Sequence, residues 1–334
     1  MKILFLAVFS SLIFSCNATK HKNESRIDSQ EYAQTITAKD FKKHMYIYAG
    51  DEMEGRMTGS KGQRMAAEYI RNFYKTENIA AAPTTDDYYQ NIPASFFEGR
   101  RDAITSENVI AYIKGSEKPD EIVIISAHLD HVGMDDQGNV FNGADDDGSG
   151  TVAIMEIAQA FQQAVKDGHP PKRSILFLHV TGEEIGLYGS RFYTENPIFP
   201  LKNTVCDLNI DMIGRIDPEK KDNPNYLYLI GSNKLSQELQ DVSEEVNAKY
   251  TKLELDYQFD ASNDPNRFYY RSDHYNFAKN NVPVIFYFNG VHEDYHKISD
   301  TPDKIEYDLL TKRTQLIFLT AWEVANRENR IALD

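Results

Sequence analysis

Apolar residues recur along this chain with two different spacings, which predict alternating strands and helices. Short β-branched runs such as Ile122 to Ala127 are typical of strands. Other stretches place apolar residues three and four positions apart, as Ala66, Ile70 and Phe73 do, and this is the period of an amphipathic helix. The predicted strands are 108–113, 122–127, 174–180, 205–211, 226–230 and 284–288, and the predicted helices are 37–49, 61–76, 151–166, 186–194, 235–250 and 307–327.

This order of elements predicts an α/β fold. Strands that alternate with helices favour a mixed, centrally parallel twisted sheet with helices on both faces. A chain of 334 residues has room for one large core, and α/β domains commonly exceed about 200 residues, so we expect one main domain over 38–334. The segments 217–225 and 256–271 are polar or mix polar with aromatic residues, which indicates surface loops over a site.

The first twenty residues predict a targeting segment. Lys2 supplies the positive charge, residues 3–14 are apolar, and Cys16 follows a small residue. The pattern resembles a bacterial lipobox, so we predict a lipoprotein signal peptide over 1–15, lipidation of Cys16 and a polar tether over 16–37. The expected location is the bacterial cell envelope, lipid-anchored and facing the periplasm or the exterior. The alternative is an ordinary signal peptide or a short transmembrane anchor, and an apolar run of about twelve residues is too short to span a membrane comfortably.

Composition excludes one class of partner. The formal net charge of -15 leaves no basic surface for nucleic acid, and 41% apolar with 26% charged residues is typical of a globular domain. Besides Cys16, the chain has only Cys206, so the mature protein is predicted to form no internal disulfide. Cys206 lies in an apolar run and is predicted to be a buried core thiol.

The stretch from Gly143 to Gly150 places three consecutive carboxylates among small residues. Adjacent like charges repel one another, and a multivalent cation would resolve the conflict, although such a run by itself is more often a solvated acidic turn. In open α/β sheets, ligands bind outside the carboxyl ends of the strands, and more such groups lie there. They are His128 and Asp130 after one strand, Asp146 before the next helix, Glu183 and Glu184 after another strand, and Asp211 at the end of a third. Imidazole with carboxylates suits zinc, and the number of carboxylates suggests two ions that share one of them.

A second imidazole is needed for such a centre, and the chain has nine histidines. Taken singly, each is more commonly a surface or core residue. His296 differs because it lies in a polar turn, Tyr295 to Asp303, after the last predicted strand. Three of the others lie in polar, surface-like contexts: His21, His44 and His169. Four more lack a neighbouring acidic strand end or are flanked by loop residues: His131, His179, His274 and His292.

Together these motifs resemble one family. The co-catalytic di-zinc aminopeptidases, which include secreted bacterial leucyl aminopeptidases and, more distantly, glutamate carboxypeptidase II, are similar to this chain over roughly residues 38–325. The fold that the resemblance implies is the zinc-exopeptidase α/β/α sandwich, here without an inserted protease-associated domain. The motifs are His128-x-Asp130, Gly143-Ala-Asp-Asp146-Asp-Gly-Ser-Gly, Thr181-Gly-Glu183-Glu184-Ile-Gly-Leu, Asp211-Met-Ile-Gly and His296-x-x-x-Asp300-Thr.

The resemblance also implies a role for each motif residue. One zinc is bound by His128, Asp146 and Asp211, and Asp146 bridges to a second zinc that is bound by Glu184 and His296. Glu183 is the implied general base, which takes a proton from a water held between the two zinc ions. Asp130 is implied to orient the ligating imidazole of His128 from outside the metal shell. Asp145 and Asp147 are not implied as ligands.

Three functions remain open at this stage. The first is a zinc aminopeptidase that acts on peptides with a free N-terminus. The surplus carboxylates near the motifs favour a protonated α-amine, and the motifs lack the cluster of arginines that would bind a terminal carboxylate. Tyr287, Phe288 and Tyr270 are predicted to line a pocket for the first side chain. The second is a glutaminyl cyclase on the same fold, and the third is an inactive binding protein, although none of the five implied ligands is lost.

Overall fold

A computed structural model of the chain describes residues 28–97, 99 and 104–334. The predicted signal peptide, the lipidation site Cys16 and most of the predicted tether lie outside these residues. The strands are β1 Ala80–Ala81, β2 Tyr89–Ile92, β3 Ser106–Ile113, β4 Lys118–His128, β5 Arg173–Val180, β6 Thr204–Ile210, β7 Tyr226–Ile230, β8 Glu254–Asp256 and β9 Val284–Phe288. The helices are α1 Ser29–Ala33, α2 Ala38–Tyr48, α3 Lys61–Glu77, α4 Gly150–Lys166, α5 Tyr188–Glu195, α6 Gln237–Val246, α7 His274–Ala278 and α8 Tyr307–Asn326.

The strands form one mixed sheet whose centre is parallel. Within the described residues its order is β1-β3-β5-β4-β6-β9-β7-β8, with β2 also paired to β3. Strands β5, β4, β6 and β9 run parallel, whereas β3 and β7 join them antiparallel at either side. The predicted fold class is therefore confirmed. Because β4, β5 and β6 are neighbours and parallel, their carboxyl ends meet at one edge.

Side chains alternate between two cores, one on each face of the sheet. Val123 and Ile125 of β4 pack into the larger core with α1, α2, α3, α4, α6 and α8. Ile122 and Ile124 of the same strand pack into a smaller core with α5 and α7. Burial on both faces explains why the central strands are apolar at successive positions. Cys206 of β6 is fully buried in the larger core, as predicted.

The domain begins earlier than the sequence predicted. Helix α1 lies inside the predicted tether, yet its Tyr32 stacks on Trp322 of α8 with the ring centroids 5.4 Å apart. Ala33 and Ile36 are also buried in the larger core. The packed part of the chain therefore includes residues 28–37, which corrects the boundary at residue 38. Among the described residues, no helix is both long and apolar enough to cross a membrane.

One buried carboxylate lies in the larger core far from the strand ends discussed below. Glu156 of α4 is 1% exposed, and neither of its carboxylate oxygens has a hydrogen-bond partner among the described residues. Its nearest ionic neighbour is His44, with Nε2 3.8 Å from Oε1. Burial, reinforced by the charge of Asp40 and opposed by that of Lys43, raises the pKa of Glu156 to about 8.

We expect Glu156→Gln to stabilise the protein increasingly as the pH rises. Because the folded pKa is raised, the folded state binds the proton more tightly, so stability is greatest below the ordinary pKa and falls as the pH climbs toward 8. Above that pH the gain in the variant should approach about 5 kcal/mol. Thermal unfolding of both proteins between pH 5 and 9 measures it, with the exposed Glu245→Gln as control. Parallel stability curves for wild type and Glu156→Gln would contradict the assignment.

Candidate metal centre

Five acidic and imidazole side chains meet at the carboxyl edge of the central strands. His128 ends β4, Glu184 follows β5 and Asp211 follows β6. Asp146 lies in the turn before α4, and His296 lies in the loop after β9. The sheet topology therefore brings together all five residues that the resemblance implied as metal ligands.

Asp146 lies between the two halves of this centre. Its Oδ1 is 3.2 Å from Nε2 of His128, and the same nitrogen is 3.6 Å from Oδ1 of Asp211. Its other oxygen, Oδ2, is 2.9 Å from Nε2 of His296, which is 3.1 Å from Oε2 of Glu184. The two carboxylate oxygens of Asp146 thus face different ligand groups, as a bridging carboxylate requires.

Several of these atoms are buried without a hydrogen-bond partner among the described residues. They include Nε2 of His128, Oδ2 of Asp146 and Oε1 of Glu184. Buried polar atoms are seldom left unpaired, because an unpaired group loses its hydration without compensation. Divalent cations bound at the two ligand groups would satisfy these atoms, so the donor set fits zinc.

The carboxylates and imidazoles of the centre shift each other's pKa values strongly. Burial by itself would raise the pKa of Asp146, but contacts with His128 and His296 hold it well below its ordinary value. Burial would lower the pKa of His128, but Asp146 and Asp211 raise it well above the ordinary value. The carboxylates therefore favour a positive charge between them, and a metal ion would supply that charge.

The side chain of Asp147, the residue after Asp146, accepts hydrogen bonds from three backbone N–H groups. Its carboxylate accepts hydrogen bonds from the N–H groups of His128 at 3.1 Å, Gly150 at 2.9 Å and Met212 at 3.2 Å. These three residues belong to the end of β4, the start of α4 and the segment that follows β6. Asp147 thus ties the three segments together, and these hydrogen bonds account for the burial of its carboxylate.

The turn that carries Asp146 is also fixed from its other side. Asp300 accepts hydrogen bonds from the backbone N–H groups of Asp145 at 3.0 Å and Asp146 at 3.2 Å. The side chain of Asp145 turns away from the centre, accepting from Gly214 N at 2.6 Å and lying 3.1 Å from Nε2 of His292. Asp300, from the last of the sequence motifs, therefore holds the backbone of Asp146 in position.

Asp130 supports the centre differently from the expectation. Nδ1 of His128 lies 3.0 Å from the main-chain oxygen of Asp130 but 3.9 Å from its carboxylate. The carboxylate accepts hydrogen bonds from the hydroxyl of Thr58 at 2.6 Å and the backbone N–H of Glu183 at 3.2 Å. Asp130 therefore orients His128 through its carbonyl group and positions Glu183 through its side chain.

Glu183 borders a cavity next to the candidate ligands Asp146 and Asp211. Burial raises the pKa of Glu183 well above its ordinary value; the charge of His128 opposes the shift and that of Glu184 adds to it. Within the described part of the chain, no imidazole nitrogen lies within 4 Å of a carboxylate oxygen of Glu183. Glu183 therefore has the position of a free carboxylate beside the centre.

The rest of this cavity is lined mainly by apolar and aromatic side chains, with one arginine among them. Its remaining walls are Met212, Phe268, Arg271, Phe286, Phe288, Val291 and Tyr295. Phe288 was predicted to lie there. Tyr287 was predicted too, but this was wrong: it lies on the opposite face of β9, fully buried in the larger core. Tyr270 was also predicted to line the pocket, but it is 46% exposed and instead borders a separate pocket together with Glu183 and His296.

His131 is a residue of the centre that the sequence analysis missed. It is 1% exposed, and its Nδ1 lies 2.7 Å from Oε1 of Glu184. Taken singly, a histidine flanked by loop residues is more commonly a surface or core residue, so His131 was not predicted as a ligand. Its place directly after the His128-x-Asp130 motif is the signal that could have indicated it.

Comparison with known proteins gives a family match over the site. A family model described as Peptidase family M28 matches residues 108–321. A curated relative, the probable leucine aminopeptidase 2 of Aspergillus oryzae, is 31% identical over 196 residues, which cover 58% of this chain and 35% of the relative. The chain spans 14–35% of the length of the first five curated relatives that it matches.

Solved structures share the fold at low identity. The LapA aminopeptidase of Legionella pneumophila is 18% identical with a TM-score of 0.69, over 90% of this chain and 75% of that one. A glutaminyl cyclase of Bacteroides thetaiotaomicron, bound to N-acetylhistamine, is 16% identical with a TM-score of 0.66, over 86% and 98%. At these identities the likeness establishes the fold alone.

Proposed function

Because the chain belongs to peptidase family M28, we propose that it is a zinc-dependent aminopeptidase that releases N-terminal residues from peptides. The observation that carries the proposal is the position of Asp146 between two ligand groups, with Oδ1 near His128 and Oδ2 near His296. A centre of this kind suits two ions that share one carboxylate.

The proposed ligands divide between two zinc ions. His128, Asp146 and Asp211 bind one ion, and Asp146, Glu184 and His296 bind the other. When bound, such ions supply positive charge that polarises a carbonyl group and lowers the pKa of water. Asp130, Asp147 and Asp300 keep the ligands in place through the hydrogen bonds described above.

Glu183 is the proposed general base. Its carboxylate faces the same cavity as Asp146 and Asp211, and its backbone N–H is held by Asp130 at 3.2 Å. A carboxylate with a raised pKa holds a proton at neutral pH more readily than an ordinary one. Glu183 would take the proton of the attacking water and pass it to the leaving amine.

The charge around the cavity favours the amino end of a substrate. The cavity next to the metal centre is bordered by three carboxylates, Asp146, Glu183 and Asp211, and by one arginine, Arg271. A protonated α-amine is attracted to such a group, whereas a terminal carboxylate usually requires several cations. The aromatic walls formed by Phe268, Phe286 and Phe288 favour an apolar first side chain.

We expect release of free N-terminal residues from an unmodified peptide and no cleavage of the same peptide once its amine is acetylated. Acetylation removes the charge that the carboxylates would bind. Mass spectrometry of parallel digests measures the outcome. Equal cleavage of both peptides, or loss of residues from the carboxyl end, would contradict an aminopeptidase.

A glutaminyl cyclase is the second candidate, because one of the structural neighbours has that activity. The same digests distinguish it, since a cyclase would remove ammonia from an N-terminal Gln without shortening the peptide. The presence of ligands for two ions, with Asp146 between them, supports the peptidase. An inactive binding protein is less well supported, because all five candidate ligands are retained.

We also propose that the mature protein is attached to a bacterial membrane through lipid on Cys16. Each buried methylene of an acyl chain stabilises membrane attachment by about 0.8 kcal/mol, so loss of the lipid should release the protein. We expect Cys16→Ala to move from the membrane pellet to the soluble fraction and to lose metabolic lipid labelling, while Cys206→Ala does neither. Continued pelleting and labelling of Cys16→Ala would overturn this proposal.

A further inference from the structure

His131 lies within reach of the metal ion that Glu184 and His296 are proposed to bind. Its Nδ1 is 2.7 Å from Oε1 of Glu184 and 3.8 Å from Oδ2 of Asp146. Zinc lies about 2.0–2.2 Å from nitrogen and oxygen ligands, so two ligand atoms on one ion are at most about 4.2 Å apart. Both distances of His131 satisfy this limit.

The orientation of the ring separates a metal ligand from an ordinary hydrogen-bonding histidine. Although Nδ1 of His131 and Oε1 of Glu184 are close, they are not aligned as donor and acceptor, and neither has another partner among the described residues. Nε2 of His128 and Oδ2 of Asp146 are left unpaired in the same way. By contrast, Nε2 of the buried His179 is paired with the hydroxyl of Tyr74 at 2.6 Å. One potential ligand atom from each of His131, Asp146 and Glu184 lies within 4.8 Å of the other two, and buried polar atoms that are close together but unpaired are arranged like ligands.

The surrounding backbone fixes the His131 ring in this place. A Cβ atom on Gly143, which has a φ of +54°, would lie 2.5 Å from both Cγ and Cδ2 of the ring, so only glycine leaves room for it. The backbone N–H of His131 donates to the carbonyl of Arg56 at 3.2 Å, and residues 57 and 131 form an isolated parallel bridge. An imidazole held from two sides has little rotational entropy to lose on binding a metal.

We propose that His131 is a fourth protein ligand of the second zinc ion, through Nδ1, beside Asp146, Glu184 and His296. The inference rests on the metal centre proposed above and adds an asymmetry to it. The second ion then has a complete set of four protein ligands, whereas the first has only His128, Asp146 and Asp211. A closed set is typical of a permanently held ion, and an open one leaves a position for water or substrate. The second ion is therefore the tightly held one, and the first is the exchangeable one.

X-ray absorption spectroscopy of the zinc-loaded full chain tests the ligand set without any measurement of activity. Three imidazoles on two ions give about 1.5 per zinc, whereas His128 and His296 alone give about 1.0. We expect the higher count in the wild type and the lower one in His131→Asn. A wild-type count of about 1.0 would overturn the proposal. If the chain binds a single zinc, the two-ion centre fails, but two imidazoles on that ion would still support His131 and one would contradict it.

Chelator competition gives the second readout. In His131→Asn the tighter zinc should weaken by more than about 100-fold, which exceeds the usual effect of losing a residue outside the ligand shell. Asn places an amide N–H near the position of Nδ1, so near wild-type affinity in this variant would show a hydrogen-bonding role and overturn ligation. His179→Asn is the control for a buried histidine of the same sheet, and it should keep both affinities. Circular dichroism verifies that each variant is folded.

Discussion

Asp146→Ala is expected to remove both zinc ions from the purified domain, although it changes one side chain. Oδ1 of Asp146 faces the His128 group and Oδ2 faces the His296 group, so its loss takes one ligand from each ion. Elemental analysis after dialysis measures the metal content, and peptide hydrolysis should fall to background.

Thermal unfolding supplies a check on Asp146→Ala that does not depend on activity. Ligands that bind only the folded state raise its stability in proportion to the logarithm of their concentration over Kd. Zinc should therefore raise the Tm of the wild type but not that of Asp146→Ala. The matched control is Asp145→Asn, because the Asp145 side chain faces Gly214 and His292. One retained zinc in Asp146→Ala, or one zinc in a fully active wild type, would count against the bridge.

One topological rule was sufficient to predict most of the centre from the sequence. Once 122–127, 174–180 and 205–211 were taken as parallel strands, the residues that follow them had to share an edge of the sheet. Strand β4 does lie between β5 and β6, in parallel pairing with both. His296 could not be placed in that way, since it lies in a loop. Its polar turn set it apart from the other histidines, and the resemblance to a family implied its role as a ligand.

The residues that were misplaced depend on contacts that the local sequence does not encode. Tyr287 and Phe288 are both apolar members of a strand that is buried on both faces, so alternation gives no sign of which one faces the cavity. Helix α1 has only five residues, and its packing depends on Trp322 from the other end of the chain. The position of His131 depends on the pairing with residues 55–57, far away in sequence.

Glu183→Gln is expected to lower kcat by a factor on the order of 10²–10⁴ while fold and zinc content stay unchanged. The substitution keeps the size of the side chain and its ability to accept a hydrogen bond, but it removes the carboxylate that would take a proton. Its backbone N–H can still donate to Asp130, as in the wild type at 3.2 Å, so the turn after β5 should be preserved. Circular dichroism, elemental analysis and steady-state kinetics on one preparation measure the three properties together.

The adjacent Glu184→Gln is the matched variant for this experiment, because the two residues differ in what they face. Oε2 of Glu184 lies 3.1 Å from Nε2 of His296, in the second ligand group, whereas Glu183 borders the cavity. We therefore expect Glu184→Gln to lose zinc and to regain part of its activity at high zinc concentration, since added metal compensates for weaker binding. Glu183→Gln should gain nothing from added zinc, because a proton acceptor is what it lacks. If Glu183→Gln turned over peptides at nearly the wild-type rate, the proton would have to leave through another group, and the assignment of Glu183 as the base would be wrong.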